Sequence, residues 1–356
     1  MRIGLVIYGP LDTMSGGYLY DRQLVAYLRA QGDTVEVISL PWRNYFSHLT
    51  DNLRFRLPGN FDLLIEDELN HPSLLAANAP PHPNPIFSLV HNLHSSEKRA
   101  AWQNTFFRAV EKRYLRSVDG FIFNSSTTRD AVHALLAEDK PHVIATPGGD
   151  RLGTLTPDQV HTRTAGPGPL RLLFLANVTP LKGLRVLLDA LRLVTSDFRL
   201  DVVGSLTVDP RYVQDLRQKV IAYGLESKIF FRGILDGAAL AERLKLSQVL
   251  VIPSFYEGFG ISYLEGMAFG LPAIGTRAGA IPQLISAGKN GFLIDPGDSE
   301  ALAKHLRALA TDRDLLTRLS LNALEHFNAQ PTWAQSTGSV RSFLLRNTGT
   351  SRSKSA

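Results

Sequence analysis

The sequence predicts an α/β protein made of two doubly wound domains, each with a parallel sheet between helices. Short β-branched and apolar runs alternate with amphipathic helical patterns along nearly the whole chain, which is typical of βαβ units. The alternation is interrupted once, by a segment rich in Gly, Pro and Thr, and then restarts. A chain of 356 residues, 44% of them apolar, is also long enough for two hydrophobic cores.

Residues 1–160 form the first predicted domain. Its clearest helix runs from Tyr18 to Ala30, where apolar side chains return near one face. Its strands are short runs bounded by polar or turn-forming residues. In chain order they are RIGLVIYG, TVEVISL, FDLLIEDE, PIFSLVHN, GFIFNS and HVIATP.

A linker is predicted between the two domains. Residues 151–169 are rich in Gly, Pro and Thr and show no clear hydrophobic period, and we place the linker itself at 161–170. The second domain, residues 171–330, repeats the alternation. Its predicted strands are RLLFLANV, FRLDVVGS, KIFFRGI, VLVIPS, LPAIGT and GFLIDP, and its predicted helices cover 183–194, 211–222, 237–247, 260–269, 280–287 and 299–328.

The end of the chain is predicted to be a helix followed by a tail. Residues 331–346 have the apolar spacing of a last helix, which we expect to cross back to the first domain. Residues 347–356 are predicted to be disordered. Because ligands of open parallel sheets bind beyond the carboxyl ends of the strands, two such domains facing each other are expected to form a cleft.

Composition removes several classes of protein. The chain has no cysteine, so disulfides, thiolate catalysis and cysteine-ligated metal centres are excluded. The first apolar run ends at Gly9-Pro10, too early for a signal-peptide core, and no window approaches the roughly 20 apolar residues of a membrane span. A cytoplasmic location is therefore the expectation.

The charge is unevenly distributed. Residues 1–150 contain 14 basic and 16 acidic residues, whereas the rest of the chain contains 24 and 17. The second half is therefore the better host for an anionic ligand. The basic residues are scattered and accompany no DNA- or RNA-binding motif, so we expect no nucleic-acid partner.

The stretch YEGFGISYLEG, Tyr256 to Gly266, combines two glutamates with a Gly-Phe-Gly turn that opens a helix. Unpaired N–H groups at a helix N-terminus bind anionic or hydroxyl oxygens, and glycines let a ligand approach the backbone. Glu257 in the loop and Glu265 in the helix can accept hydrogen bonds from hydroxyls. Alternatively, both glutamates simply favour the start of a helix or face water.

The segment PSFYEGFGISYLEGMAFGLPAIGT, with the later GAIPQLI and GKNGFLIDPGD, resembles the donor-binding segment of the family-4 retaining glycosyltransferases of GT-B fold. The resemblance covers nearly all of the second domain and, more loosely, the first. It implies two Rossmann-like domains facing across a cleft, with Glu257 contacting hydroxyls of the transferred sugar and Glu265 the ribose of the nucleotide. The turn of Gly258, Phe259 and Gly260 would offer backbone amides to the sugar.

Lys182, in FLANVTPLKGL, follows a strand of the second domain. A cation there suits the negative charge of a leaving diphosphate, although a solvated loop lysine is the simpler interpretation. The family usually has Arg before this lysine, where this chain has Asn177. The resemblance therefore implies donor binding at Asn177, with the loss of one cation. It also places the nucleotide base on backbone near Gly233 and Ile234.

The first domain offers Gly16-Gly17 between a strand and a helix, and His91 at the end of a buried strand. The resemblance implies that the two glycines bring N–H groups to a phosphate, and that His91, rather than His94, lines the pocket around the donor sugar. The alternatives are an ordinary turn and a histidine bonded to loop backbone.

Two further features have no assigned role in transfer. In IEDELNHP, the residues from Glu66 to Pro72 begin with three acids that shape an acceptor pocket or cap a helix, and we do not expect them to bind metal. A basic segment shares a helix with aromatic residues, which indicates either a solvated charged face or weak peripheral contact with an anionic membrane. Its basic residues are Lys98, Arg99, Arg108, Lys112, Arg113 and Arg116.

Together these features predict a retaining glycosyltransferase that moves a sugar from a nucleoside diphosphate sugar to an acceptor hydroxyl. The resemblance implies no metal and no other cofactor, and the acceptor, whether small molecule, glycan or lipid, stays open. Two alternatives are a sugar-nucleotide epimerase or a phosphorylase of the same fold, and a non-catalytic sugar-nucleotide-binding protein. Asn177, in place of the usual Arg, keeps the last alternative open.

Overall fold

Two six-stranded parallel sheets, each flanked by helices, organise the chain and confirm the predicted fold class. The computed structural model describes residues 1–80, 82, 84–96 and 101–349. The first unit consists of Met1–Pro147 and the segment from Trp333 onward, and the second of Gly148–Thr332.

The first sheet has the strand order β2-β1-β3-β4-β5-β6, with all neighbouring strands parallel. Its central strands are buried along their whole length, which explains their continuous apolar sequences. The strands are β1 (Arg2–Tyr8), β2 (Thr34–Leu40), β3 (Leu63–Asp67), β4 (Ile86–Val90), β5 (Gly120–Phe123) and β6 (His142–Ile144).

Two helices of the first unit begin at serine caps. Ser15 accepts a hydrogen bond from the Tyr18 N–H, and Ser125 accepts one from the Thr128 N–H, so each satisfies a donor that the helix leaves unpaired. The first helices of this unit, in chain order, are α1 (Gly16–Ala30), α2 (Tyr45–Leu49), α3 (His71–Leu74), α4 (Ala101–Ser117) and α5 (Ser126–Leu136).

The helix with basic and aromatic residues corresponds to α4. Lys98 and Arg99 lie outside the described residues. Phe107 and Tyr114 are buried in the first unit, whereas Trp102 is 67% exposed. In the described ranges, no helix is both long enough and apolar enough to cross a bilayer.

The second sheet has the order β12-β11-β10-β7-β8-β9, again with parallel neighbours. Its strands are β7 (Leu170–Leu175), β8 (Phe198–Val203), β9 (Ile229–Gly233), β10 (Val249–Val251), β11 (Ala273–Thr276) and β12 (Gly291–Ile294). Its helices are α6 (Pro157–Ala165), α7 (Leu184–Leu191), α8 (Pro210–Ala222), α9 (Gly237–Leu246), α10 (Ile261–Ala268), α11 (Ile281–Leu284), α12 (Ser299–Thr311) and α13 (Arg313–Asn328).

The predicted linker was wrong. The units divide between Pro147 and Gly148, and residues 161–165 lie inside helix α6. Thr156 and Gln159 form a capping box and Pro157 occupies the first turn, so this helix has a strong local start signal despite its short apolar pattern. The residues Thr-Pro-Asp-Gln at 156–159, which interrupt the hydrophobic periodicity, therefore also start a helix.

The helical segment predicted at 299–328 is two helices. Asp312 ends α12 and caps α13, because its side chain accepts a hydrogen bond from the Leu315 N–H. Leu302, Leu306 and Leu309 of α12 and Leu316, Leu319 and Leu324 of α13 are buried, as their spacing indicates, whereas Leu315 is half-buried.

The last helix, α14 (Trp333–Gly349), is part of the first unit. Arg341 pairs with Asp33 at 2.7 Å, and the Phe343 ring lies 5.4 Å from that of Phe87. The helix extends three residues into the predicted tail, which was therefore placed too early. Residues 350–356 lie outside the described residues.

Candidate functional site

The strand order of the second sheet reverses between β7 and β10. The chain leaves β7 for β8 on one side, and β10 leads to β11 on the other. At such a switch point the loops after the two strands separate and leave a crevice, where open α/β sheets bind their ligands. Lys182 follows β7 and Glu257 follows β10, so the order of the strands brings these two residues to one place.

Lys182 and Glu257 form an ion pair at this switch point. The lysine Nζ lies 2.8 Å from both carboxylate oxygens of Glu257. Ser254, which is fully buried, donates its hydroxyl to Oε1 of Glu257 at 2.7 Å. The side chains of Lys182 and Glu257 are 26% and 11% exposed. The buried Ser254 hydroxyl therefore holds the pair in place, while the partly exposed side chains remain accessible to a ligand.

Backbone contacts explain why two loops 75 residues apart hold this pair. The Phe255 N–H donates to the Leu181 carbonyl at 2.8 Å. Gly183 has a φ of +72°, and a Cβ at this position would lie 2.0 Å from the Pro253 carbonyl oxygen. Only glycine permits this close approach of the two loops.

The GAIP segment holds the backbone of Glu257. The Ala280 N–H donates to the Glu257 carbonyl at 2.9 Å. A Cβ on Gly279 would lie 2.0 Å from that same carbonyl oxygen, and the φ of Gly279 is +68°. This part of the sequence motif therefore positions the first glutamate.

The Gly258–Gly260 turn leads into helix α10, as the sequence predicts. Gly260 adopts a φ of +95°, and no side chain caps the first turn of the helix. Phe259 is buried, and the Tyr263 hydroxyl donates to the Ile252 carbonyl, which anchors the helix to the strand. The absence of a side-chain cap suits the N-terminus of α10 to bind an oxygen-rich ligand.

Glu265 lies in α10 and is paired with a residue that the sequence analysis missed. Arg151 Nε lies 2.5 Å from Oε1 of Glu265, whose side chain is only 4% exposed. Burial raises the pKa of Glu265, and the Arg151 guanidinium opposes this rise. The signal for Arg151 was a basic residue in a turn soon after a strand, but the segment was assigned to the break between domains.

Asn177 stabilises the loop after the neighbouring strand. Its Oδ1 accepts from the Ser205 N–H at 3.1 Å, and the Val178 N–H donates to the Ser205 carbonyl at 3.0 Å. At the next strand end, the Gly233 carbonyl accepts from the Gly204 N–H. Ile234 follows and is 50% exposed. The structure thus places Asn177 at the carboxyl end of β7, and Gly233 and Ile234 at the carboxyl end of β9.

The first sheet has its own switch point, between β1 and β3. Gly17 follows β1 and lies against His91, since a Cβ on Gly17 would be 3.2 Å from the imidazole. His91 Nε2 lies 3.1 Å from Oδ1 of Asp21, a fully buried residue that the sequence analysis also missed. Gly16 is the first residue of α1, so the two glycines form the N-terminus of that helix.

A cavity of about 130 Å³ lies beside His91. Gly17, Asp67, Glu68 and His94 also line it, and none of the described residues in its wall is Lys or Arg. Both carboxylates are at least 97% buried. This site therefore offers hydrogen-bond acceptors and imidazoles rather than cations.

Burial changes the acidity of this cavity. It raises the pKa of Asp67 to about 7 and that of Glu68 to about 8. Burial alone would lower the pKa of His91, but the carboxylates of Asp21, Asp67 and Glu68 raise it overall. The cavity can thus hold and exchange protons near neutral pH.

The three acids of IEDELNHP separate in the structure. Glu66 is buried and accepts from the Asn78 amide at 2.8 Å. Asp67 caps the following turn, because its carboxylate accepts from the Leu69 N–H. Asp67 and Glu68 face the cavity described above. Helix capping is thus observed, and two of the acids also line a candidate binding site.

Comparisons with known proteins find a matching family model and several relatives. Residues 162–326 match the family model described as glycosyl transferases group 1. A D-inositol 3-phosphate glycosyltransferase of Stackebrandtia nassauensis is 30% identical over 69% of this chain and 58% of the relative. A phosphatidyl-myo-inositol mannosyltransferase of Mycobacterium leprae is 28% identical over 87% of both chains. The chain spans 56% to 58% of the length of the first curated relatives that it matches.

Two solved structures share the fold over nearly their whole length. Sucrose-phosphate synthase from Thermosynechococcus elongatus has a TM-score of 0.83 at 19% identity, covering 98% of this chain and 99% of its own. Anabaena Alr3699/HepE in complex with UDP and glucose has a TM-score of 0.77 at 19% identity, covering 97% and 99%. The fold and its switch-point sites thus define a GT-B protein. Within the second unit, residues 162–326 belong with the group 1 glycosyltransferases.

Proposed function

We propose that this protein is a retaining glycosyltransferase that transfers a sugar from a nucleoside diphosphate sugar to an acceptor hydroxyl. The observation that carries the proposal is the Lys182–Glu257 pair at the switch point of the second sheet, with Nζ 2.8 Å from both carboxylate oxygens. A cation for a leaving diphosphate and a carboxylate for sugar hydroxyls are the two groups that this reaction requires at one place. The names of the matched relatives and the UDP complex of Alr3699/HepE support the donor class.

Lys182 stabilises the negative charge that develops on the leaving diphosphate. Its Nζ is already held by Glu257, so little reorganisation is needed when the donor binds. Glu257 orients the sugar by accepting hydrogen bonds from its hydroxyls, and the Gly258–Gly260 turn donates backbone N–H groups to the same sugar. The buried Ser254 hydroxyl keeps Glu257 in the required orientation.

Glu265 binds the ribose hydroxyls of the nucleotide. Burial raises the pKa of this carboxyl, and its pair with Arg151 opposes the rise and so favours the ionised form, which can accept two hydrogen bonds. Asn177 holds the loop at Ser205 and contributes to donor binding through it, and backbone near Gly233 and Ile234 supports the base.

In the first unit, Gly16 and Gly17 offer the N–H groups of the α1 N-terminus to a phosphate, and His91 contacts a sugar hydroxyl. Asp67 and Glu68 accept hydrogen bonds from the acceptor in the cavity that they line. The acceptor hydroxyl attacks from the face that the diphosphate leaves, and the departing phosphate helps to take its proton. Retention of configuration follows from this front-face attack.

Transfer needs no metal in this proposal, because Lys182 and two helix N-termini supply the electrostatic stabilisation that a cation would give. We also propose a cytoplasmic location with weak peripheral contact between α4 and an anionic membrane. The exposed Trp102 and the basic residues of α4 support that contact.

The first experiment is calorimetric titration of the protein with UDP, GDP and ADP, without and with Mg²⁺. The variants are Glu265→Ala and, as a control, Glu226→Ala, which removes an exposed glutamate of the same unit. We expect one diphosphate to bind, with an affinity that Mg²⁺ and Glu226→Ala leave unchanged and Glu265→Ala lowers about tenfold. If none of the three diphosphates binds, the proposed function is wrong.

Turnover distinguishes the alternatives. Incubation with the matching nucleotide sugar and an acceptor extract should release the nucleoside diphosphate and a glycosylated product with the donor's anomeric configuration. Binding without any release would indicate a sugar-nucleotide-binding protein. Conversion of the sugar without release of the diphosphate would indicate an epimerase.

A further inference from the structure

Two histidines and an aspartate meet where α5 ends and β6 begins. His133 lies in the last turn of α5, Asp139 in the following loop, and His142 is the first residue of β6. One nitrogen of each imidazole and one carboxylate oxygen lie within 4.8 Å of one another. We refer to these three residues as the His-Asp cluster. It shares no residue with the sites described above.

The distances inside the cluster are too long for hydrogen bonds. Oδ1 of Asp139 lies 3.8 Å from Nε2 of His133 and 3.7 Å from Nδ1 of His142. Two ligands bound to one zinc ion at about 2.0–2.2 Å lie roughly 3.3 Å apart in tetrahedral geometry. Because the Asp139 side chain is 82% exposed, it can move the roughly 0.5 Å that separates its observed distance from His133 Nε2, the ligand nitrogen of that residue, from the required distance.

Each imidazole has a nitrogen available for a metal. His133 Nε2 is shielded from water and has no hydrogen-bond partner among the described residues. His142 Nδ1 lies 3.0 Å from the Lys140 carbonyl, which can only accept, so this nitrogen holds the proton and Nε2 keeps its lone pair. Donation of the second ring N–H to a backbone carbonyl is the usual arrangement of a metal-bound histidine.

A second group of two acids and a histidine in the same unit has no imidazole nitrogen available for a metal. Glu68, His71 and Glu111 are close together and buried. However, His71 Nδ1 donates to the Glu68 carbonyl at 3.0 Å, and its Nε2 accepts from the Tyr45 hydroxyl at 2.8 Å. Both nitrogens of His71 are used, so this group offers no imidazole lone pair to a metal.

A chain reversal after α5 brings Asp139 and His142 back toward His133. Ala137 has a φ of +55°, the single positive φ at a non-glycine residue in the described ranges. Its N–H donates to the His133 carbonyl at 2.9 Å, which ends α5 and reverses the chain. A left-handed alanine is strained and is kept where the surroundings require it.

We propose that the His-Asp cluster is a binding site for one Zn²⁺ ion, held by His133, Asp139 and His142 with water completing the coordination. Imidazole and carboxylate are suitable zinc ligands, and three protein ligands with an open position form a complete site of this class. The ion would connect the end of α5 to the start of β6. It is separate from sugar transfer, which does not need it.

The test is calorimetric titration of chelator-treated protein with Zn²⁺, and with Co²⁺ followed by its visible absorption. The variants are His133→Ala, Asp139→Asn and His142→Ala. His161→Ala is the matched control, because it removes an exposed histidine of the second unit. His91→Ala tests the other accessible histidine with carboxylate neighbours.

We expect one equivalent of Zn²⁺ to bind to the wild type, to His161→Ala and to His91→Ala. Each variant of the His-Asp cluster should bind Zn²⁺ at least tenfold more weakly, with thermal unfolding of the metal-free protein unchanged. Absence of binding to the wild type, equal binding to the cluster variants, or loss confined to His91→Ala would each overturn the proposal. Binding of UDP by the same samples reports independently on the proposed function.

Discussion

The two units use the same topological position for opposite chemistry. In the second unit the switch point holds Lys182 and Glu257, a partly exposed cation and carboxylate joined at 2.8 Å. In the first unit it holds buried carboxylates and His91, beside a cavity whose described wall contains no Lys or Arg. A parallel sheet thus determines where polar side chains collect, whereas the side chains determine which ligand group binds there.

The two units also differ in whether their buried carboxylates are paired with a cation. Glu265 is paired with Arg151, so its carboxylate can stay ionised. Asp67 and Glu68 lack an ion pair of this kind in the described chain, and burial raises their pKa values to about 7 and about 8. The site of the second unit is therefore suited to bind charged ligand groups. The site of the first unit is suited to form hydrogen bonds and to exchange protons.

The largest expected effect is loss of transfer when the switch-point pair of the second unit is broken. Lys182→Ala and Glu257→Ala should each lower kcat/KM by at least tenfold, and about 10²-fold for the lysine, because the leaving diphosphate loses its positive partner. The measurement is initial rate of nucleoside diphosphate release. Lys245→Ala, which removes an exposed lysine of the same unit, should leave the rate unchanged. Unchanged rates in Lys182→Ala would contradict the role assigned to the pair.

A smaller effect is expected at the buried pair of the second unit. Glu265→Ala should weaken binding of the selected nucleoside diphosphate about tenfold at every pH, because the ribose loses its acceptor. Arg151→Ala leaves the buried Glu265 carboxyl without its cation, so its pKa should rise further. Affinity in this variant should therefore fall at low pH and recover as pH rises.

The measurement for this pair is calorimetric titration between pH 5.5 and 8.5. Arg151→Lys, which keeps the charge, should restore most of the wild-type pH profile. An Arg151→Ala profile parallel to that of the wild type would show that the guanidinium does not maintain the ionised carboxylate.

The smallest effect concerns stability in the first unit. Because the folded pKa of Glu68 is about 8 and lies above its ordinary value, the folded state binds more protons than the unfolded state between about pH 4.5 and pH 8. The stabilisation is complete below the ordinary pKa and is lost as pH rises through the folded pKa. Each proton contributes about 1.4 kcal/mol per pH unit in this window.

Glu68→Gln should remove this dependence. From pH 6 to pH 8, the free energy of unfolding of the variant, relative to the wild type, should rise by at least about 1 kcal/mol. Urea unfolding at both pH values measures the difference, with the exposed Glu36→Gln as the control. A constant difference between variant and wild type would mean that the Glu68 carboxyl is ionised in the folded protein.

Much of this arrangement could be predicted from local sequence. The strands in the described ranges correspond to β-branched or apolar runs, and Glu257, the Gly258–Gly260 turn and Lys182 lie in motifs that the sequence shows. These features depend on neighbours within a few residues, or on a motif whose order along the chain is preserved. The linker prediction was wrong because the loss of a hydrophobic period does not exclude a well-capped short helix such as α6.

By itself, the sequence determined the α/β alternation, the glycines at tight loop contacts and the residue types available at each strand end. Only the tertiary structure decided which of those residues meet. Arg151 reaches Glu265 across 114 residues, and Asp21 reaches His91 across 70. Such pairs depend on strand order and loop packing, which no local periodicity encodes. The Arg151 pair also opposes the rise that burial causes in the pKa of Glu265. The physical reason is that secondary structure follows short-range patterns, whereas a site is assembled by contacts between distant segments.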